Sequence, residues 1–203
     1  MSARRVGPWT VMAERTVFDN PWISVIDHDV VHPGGSDGGY GVVRFKHAAI
    51  GILPIDEEGC VRLVGQHRFP LDAYSWELPE GGGPLDEAPL EAARRELQEE
   101  TGITARCWLE IAAFDISNSV TDERAVCYAA WELEEGDAAP EPSELLDYRR
   151  VPFAALLDKV LAGEIRDSLT VVMTLAIHAK ALRGDLPEPI SRLVLESARG
   201  EQE

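Results

Sequence analysis

The chain has 203 residues, with 19 Lys and Arg against 36 Asp and Glu, a formal net charge of −17. A surface of that sign repels polyanions and anionic membranes, which excludes a phosphate-tracking nucleic-acid binder and a peripheral membrane protein. The 45% hydrophobic and 27% charged fractions are those of a globular domain, so the acidity does not signal disorder.

Residues 9–18 and 22–32 are rich in Val, Ile, Thr, Phe and Trp and read as strands joined by a turn at Asp19-Asn20-Pro21. Residues 34–39 read as a loop, and 40–46 as a third strand. Together, residues 1–46 make an antiparallel β unit with too little apolar content to fold well alone, so it is expected to pack on a neighbour or a second subunit. Residues 47–186 form the main domain. Strands at 48–55 and 61–66 flank a Glu57-Glu58-Gly59 turn, and 74–78 is a short strand before a flexible loop from Glu80 to Pro84. Residues 87–101 read as a helix, with Asp86 as N-cap, Pro89 in the first turn and Gly102 at the end. Strands follow at 107–116 and 124–133, then an acidic loop at 134–143. Helices follow at 153–162 and 168–182, the second capped by Asp167 or Ser168 and stopped by Gly184. Residues 187–203 read as a frayed tail.

Cys60, Cys107 and Cys127 form no CxxC pair, which favours a reduced interior over a disulfide scaffold or zinc site. Two arginines near the N-terminus lack an apolar segment behind them, and no apolar run approaches the ~18 residues that span a bilayer. The expectation is a soluble cytoplasmic protein.

The helix at 87–101 carries the chemistry. Glu96, Glu99 and Glu100 are spaced i, i+3, i+4 and share one face, where they repel one another. They also stand at the helix C-terminus, where the dipole favours cations. Ala93 and Leu97 turn toward a core and anchor the helix. A solvated acidic face is the plain alternative in so acidic a chain. The preceding triple-glycine loop and Arg95 among the carboxylates favour a cation site, and hard divalent ions, Mg²⁺ or Mn²⁺, suit clustered carboxylate oxygens.

Gly81, five residues, Glu87, seven residues, Arg95-Glu96-Leu97, one residue, Glu99-Glu100, one residue, Gly102-Ile103 resembles the Nudix box at every position. The resemblance implies an α/β fold, the Nudix α/β/α sandwich on a mixed sheet, and Mg²⁺- or Mn²⁺-dependent hydrolysis of a nucleoside diphosphate linked to another group. It implies metal ligation by Glu96 and Glu100, with Glu99 in the cluster and the Glu80 backbone carbonyl as a further ligand. Arg95 would orient the glutamates, and Glu87 would hold the loop against the helix.

The flanks resemble the ADP-ribose and nucleoside-diphosphate-sugar pyrophosphatases. In that branch, N-terminal strands support a homodimer and complete the partner's substrate site. Gln66-His67-Arg68-Phe69-Pro70 and Tyr74-Ser75-Trp76-Glu77-Leu78-Pro79-Glu80 are similar to that branch, as are Val151-Pro152-Phe153 and Gly163-Glu164-Ile165. Where its members often carry Ser-Pro-Gly and then a glutamate, this chain has Ser117-Asn118-Ser119-Val120-Thr121-Asp122-Glu123, which leaves ADP-glucose or GDP-mannose open beside ADP-ribose.

Arg68, in a local basic patch with Arg44, Lys46, His47 and His67, is a candidate to hold the diphosphate through bidentate bonds. Arg44, Ser119 and Glu123 are further substrate candidates. Trp22 either stacks on a nucleobase or packs within the β unit. The resemblance to that branch implies a general base on the loop before the C-terminal helices, Glu144 or alternatively Glu141, which could swing in with substrate; Glu99 and Arg95 complete the catalytic set. The competing readings are hydrolysis of nucleoside triphosphates or dinucleoside polyphosphates, and a non-catalytic nucleotide-sugar sensor, which would ordinarily lack box glutamates.

Overall fold

The computed structural model describes residues 3–138 and 145–197, and the chain divides into two compact units. The first comprises Met1–Ala48 with Asp115–Arg124, the second Ala49–Phe114 with Ala125–Glu203. Among the described residues, no helix is long and apolar enough to cross a membrane.

The first unit is an antiparallel meander of β1 (Arg4–Val6), β2 (Trp9–Asp19), β3 (Ile23–Val31) and β4 (Asp37–Phe45), in that spatial order. Its central turn is set by Asn20, whose side-chain oxygen accepts from the Trp22 and Ile23 N–H groups at 2.9 and 2.8 Å. The loop expected at 34–39 is shorter than that: β4 begins at Asp37, and the reversal closes by a His32 N–H bond to the Ser36 carbonyl at 2.8 Å. The segment 115–124 joins this unit because Val43 of β4 exchanges backbone bonds with it, Val43 N–H to Val120 O at 2.9 Å and Asp122 N–H to Val43 O at 3.3 Å. The sheet buries Val11, Val30 and His28 and leaves Met12, Val17, Phe18 and Trp22 exposed.

The second unit holds two sheets. One is mixed, in the order β8 (Glu80–Pro84), β5 (His47–Pro54), β10 (Arg124–Glu134), β9 (Thr104–Asp115), with β5 and β10 parallel. The other is antiparallel, in the order β11 (Asp147–Pro152), β6 (Cys60–Arg68), β7 (Ala73–Glu77). Strand alternation puts neighbouring residues of β5 on opposite faces. A Cβ on Gly83 would lie 2.9 Å from Ala92 of α1 (Pro89–Thr101) and 3.0 Å from Ile50, so Ile50 shares its face with α1. A Cβ on Gly51 would lie 2.8 Å from Met173 of α3 (Ser168–Arg183), so the opposite face carries α3. Helices therefore cover both faces of the mixed sheet, the α/β/α arrangement expected.

Three expectations are corrected, and one strand has no counterpart in the sequence reading. The Glu80–Pro84 segment is a strand and not a flexible loop, because its glycines serve close packing against α1 and β5. Asp86 does not cap α1: Ala88 is the N-cap, without a side-chain bond, and Pro89 occupies the first turn, where its missing N–H costs nothing. β11, with the run Asp-Tyr-Arg-Arg, shows no apolar alternation because as an edge strand it exposes most of its side chains. Residues beyond Leu186 do not fray at once: α4 (Glu188–Leu195) buries Ile190 and Val194, and the Leu193 carbonyl lies close against Gly59. The helix α2 (Phe153–Leu161) and the Asp167 cap of α3, which accepts from Thr170 N–H at 2.7 Å, agree with the sequence.

Candidate active site

The site begins where β7 gives way to β8 beneath α1. Leu97, Ala92 and Ala93 are fully buried and fix one side of α1, which leaves Arg95, Glu96, Glu99 and Glu100 to occupy the flank facing residues 80–82. The helix ends at Gly102, whose φ of 74° is left-handed, a conformation glycine adopts without the Cβ penalty.

Arg95 is the hub. Its Nη1 donates to Glu96 Oε1 at 2.7 Å and Glu99 Oε2 at 3.1 Å, while Nη2 donates to the Gly82 carbonyl and Glu87 Oε2, both at 3.1 Å. One planar guanidinium thus ties three carboxylates and the glycine strand together. Burial works to lower the Arg95 pKa, but its bonds to Glu87 and Glu96 outweigh it and the value is raised. Glu100 is 2% exposed, and its Oε2 accepts from the Glu80 N–H at 3.1 Å. Gly81 is required here by space: a Cβ would lie 2.2 Å from the Glu96 carboxylate carbon. These are hard oxygen donors, gathered on one helix turn and backed by a backbone segment, a set that fits Mg²⁺ or Mn²⁺.

Behind this face lies a second acidic group. Ligand-type oxygens of Glu77, Glu80 and Asp167 lie within 4.8 Å of one another. Arg68 braces two of its members: Nε donates to both Glu77 oxygens at 3.0 Å, and Nη2 donates to Glu77 Oε2 at 2.5 Å and to Glu80 Oε1. Burial, followed by repulsion from Asp167 and Glu77, pushes the Glu80 carboxyl well above the usual range despite Arg68. Glu77 and Asp167 have no place among the sequence candidates, Asp167 being noted only as a cap. The signal for Glu77 was its register: β7 alternation turns it inward, paired across the ladder with buried Val64. A cavity of about 510 Å³ opens beside this cluster, lined by Arg68, Trp76, Glu80, Arg149, Arg166 and Asp167. Its wall is stiffened by the Arg149 guanidinium, 4.1 Å over the Trp76 ring.

The first unit holds the other candidates. Arg44 donates to Asp122 Oδ2 at 2.9 Å, and the Phe45 N–H donates to the same carboxylate at 2.9 Å. Lys46 pairs with Asp19 at 2.8 Å, so these two cations of the basic patch are each matched by a carboxylate of their own unit. Within the second unit, His67 likewise faces Asp72 at 3.1 Å. The Ser119 carbonyl accepts from the Tyr40 hydroxyl at 2.5 Å. Burial raises the Glu123 carboxyl pKa. Trp22 is 59% exposed and tilts against His47 at 5.1 Å between ring centres, so it is not packed in a core. Glu141 and Glu144 lie outside the described residues.

Such a glutamate-bearing helix on a mixed sheet defines a class, and the comparisons agree with it. Residues 45–170 match the NUDIX domain, and the chain belongs to the Nudix family. Residues 9–43 match the nucleoside diphosphate sugar hydrolase N-terminal domain. The chain is 32% identical to an ADP-ribose pyrophosphatase of Mycobacterium tuberculosis, over 78% of this chain and 77% of that one. It is 30% identical to a CMP-5'-(N-acetyl-N-hydroxy-3-aminopropyl)phosphonate hydrolase of Streptomyces rubellomurinus, over 83% and 82%. A crystal structure of an ADP compounds hydrolase shares the fold at a TM-score of 0.78 and 20% identity, covering 90% of this chain and 98% of that one.

Proposed function

We propose that the chain hydrolyses the pyrophosphate bond of ADP-ribose or a related nucleoside diphosphate sugar, with Mg²⁺ or Mn²⁺. The observation that carries this is the Arg95 hub: it holds Glu87, Glu96 and Glu99 in one constellation, with Glu100 fixed beside it by the Glu80 N–H. Family membership and an N-terminal segment of the nucleoside-diphosphate-sugar type support it.

In this reading Glu96, Glu100, Glu99 and the Glu80 carbonyl hold the metal. When bound, the ion neutralises the diphosphate oxygens and lowers the pKa of a water. Arg95 keeps the carboxylates from splaying apart under mutual repulsion. Glu144, or else Glu141, takes the proton of the attacking water. The water oxygen bonds to one phosphorus, the bond from that phosphorus to the bridging oxygen breaks, and a nucleoside monophosphate and a sugar phosphate leave. Arg44, Ser119, Glu123 and Trp22 are assigned to substrate recognition, in a cytoplasmic homodimer whose N-terminal β unit (residues 1–46) serves the partner's site.

The test is a panel of ADP-ribose, ADP-glucose, GDP-mannose, dGTP and a dinucleoside polyphosphate at fixed Mg²⁺, with products separated chromatographically. The expected result is turnover of a nucleotide sugar to a monophosphate and a sugar phosphate. Preference for dGTP or the polyphosphate would move the chain to the nucleotide-pool reading. Binding of a nucleotide sugar with no turnover would make it a sensor.

A further inference from the structure

Arg68 lines the cavity, yet one edge of its guanidinium is turned to the protein. The Nε and Nη2 edge is committed to Glu77, which is 2% exposed, and to Glu80. The backbone between Glu77 and Glu80 is tied to the core: Leu78 N–H donates to Thr170 Oγ1 at 2.9 Å, and the Pro79 carbonyl accepts from Ile52 N–H at 2.8 Å. Glu80 is the next residue, and its N–H is the donor to Glu100 Oε2. Its side chain is held by Arg68 against two other carboxylates that repel it, Glu77 and Asp167.

We propose that Arg68 is a positioning residue for the metal centre, acting through Glu80: the guanidinium fork holds Glu80 in place, and the Glu80 peptide in turn holds Glu100. This rests on the reading that Glu96, Glu100 and the Glu80 carbonyl bind the metal. Lysine cannot replace the fork, because a single ammonium does not present two parallel donors to two carboxylates.

Two simpler roles make opposite forecasts. A bystander charge near a cation site weakens cation binding, so removing it would tighten Mn²⁺. A phosphate ligand would raise the substrate KM and leave Mn²⁺ affinity in the absence of substrate unchanged. The positioning role forecasts weaker Mn²⁺ in Arg68→Gln, by about 10–100-fold, the usual effect of losing a group that orients a metal ligand.

The experiment titrates Mn²⁺ into the full-length protein without substrate, by electron paramagnetic resonance of the free ion, for wild type, Arg68→Gln and Arg68→Lys. Circular dichroism checks the fold. Weaker Mn²⁺ binding in both variants, measured without substrate, supports the proposal. Unchanged or tighter Mn²⁺ binding in Arg68→Gln overturns it. If Arg68→Gln does not fold, Arg68→Lys decides alone, since it keeps the charge and loses only the fork; unchanged Mn²⁺ affinity there overturns the proposal. A wild type that binds no Mn²⁺ overturns the metal reading itself, a separate result from a wild type that binds and a variant that does not weaken.

Discussion

Gly81 lies so close to Glu96 that any β-carbon at that position would sit 2.2 Å from the Glu96 carboxylate carbon. Two residues on, Gly83 is crowded by the core, with Ala92 and Ile50 at 2.9 and 3.0 Å from its would-be Cβ. The same glycine run therefore serves two purposes, and single alanines separate them.

Gly81→Ala meets the end of a flexible side chain. The carboxylate swings away, its bond from Arg95 is lost, and stability changes by less than about 1 kcal/mol because no core atom must move. Turnover falls about 10–100-fold through misplacement of Glu96. Gly83→Ala meets a helix and a core strand that cannot swing, and loses about 1–3 kcal/mol of stability by overpacking. Urea denaturation and steady-state kinetics on both variants check the contrast.

This glycine run also marks the limit of what the sequence discloses. The triplet and its spacing to Glu87, Arg95, Glu96, Glu99 and Glu100 were legible, and so was the helix that carries the carboxylates, because spacing on a helix fixes which side chains share a face. Flexibility was the wrong inference from Gly81-Gly82-Gly83: composition does not distinguish a glycine that needs freedom from one that needs room. β11 was invisible because an edge strand with Arg149 and Arg150 carries no apolar alternation. The clamp of Arg68 on Glu77 and Glu80 was hidden for another reason. It depends on β6–β7 register, a tertiary fact, and a lone arginine in an acidic chain reads equally well as a ligand for phosphate.

Thr170 is fully buried, and its hydroxyl oxygen accepts from the Leu78 N–H at 2.9 Å. Thr170→Val keeps the shape and removes the acceptor, which leaves a buried N–H unsatisfied. The expected cost is about 1–3 kcal/mol. Chemical denaturation measures it, and a variant as stable as wild type would mean that the Leu78 N–H finds another partner.

Asp56 gives the acid limb of the stability profile. Burial works to raise its pKa, but bonds from Arg150, the Cys60 N–H, Arg62 and the Glu58 N–H prevail and hold the carboxyl below its ordinary value. A group with a depressed folded-state pKa contributes stability above its unfolded pKa, near about 4, and that contribution disappears as the pH falls through the lower folded value. Asp56→Asn is therefore expected to destabilise at pH 7 and to narrow its deficit as the pH drops below about 4. Urea midpoints at pH 7 and pH 3 give the comparison, and an equal deficit at both would show that Asp56 acts by shape and not by charge.

Glu100 carries the central claim, since it is buried, held by the Glu80 N–H, and assigned to the metal. Glu100→Gln keeps the size of the side chain and removes one charge. The decisive measurement is turnover of ADP-ribose by wild type and Glu100→Gln at saturating Mg²⁺, with the fold of each checked by circular dichroism. The account predicts AMP and ribose 5-phosphate from wild type, and a loss of at least about 100-fold in the folded variant, as for removal of a group on which metal binding depends. Near-wild-type turnover in Glu100→Gln would contradict it.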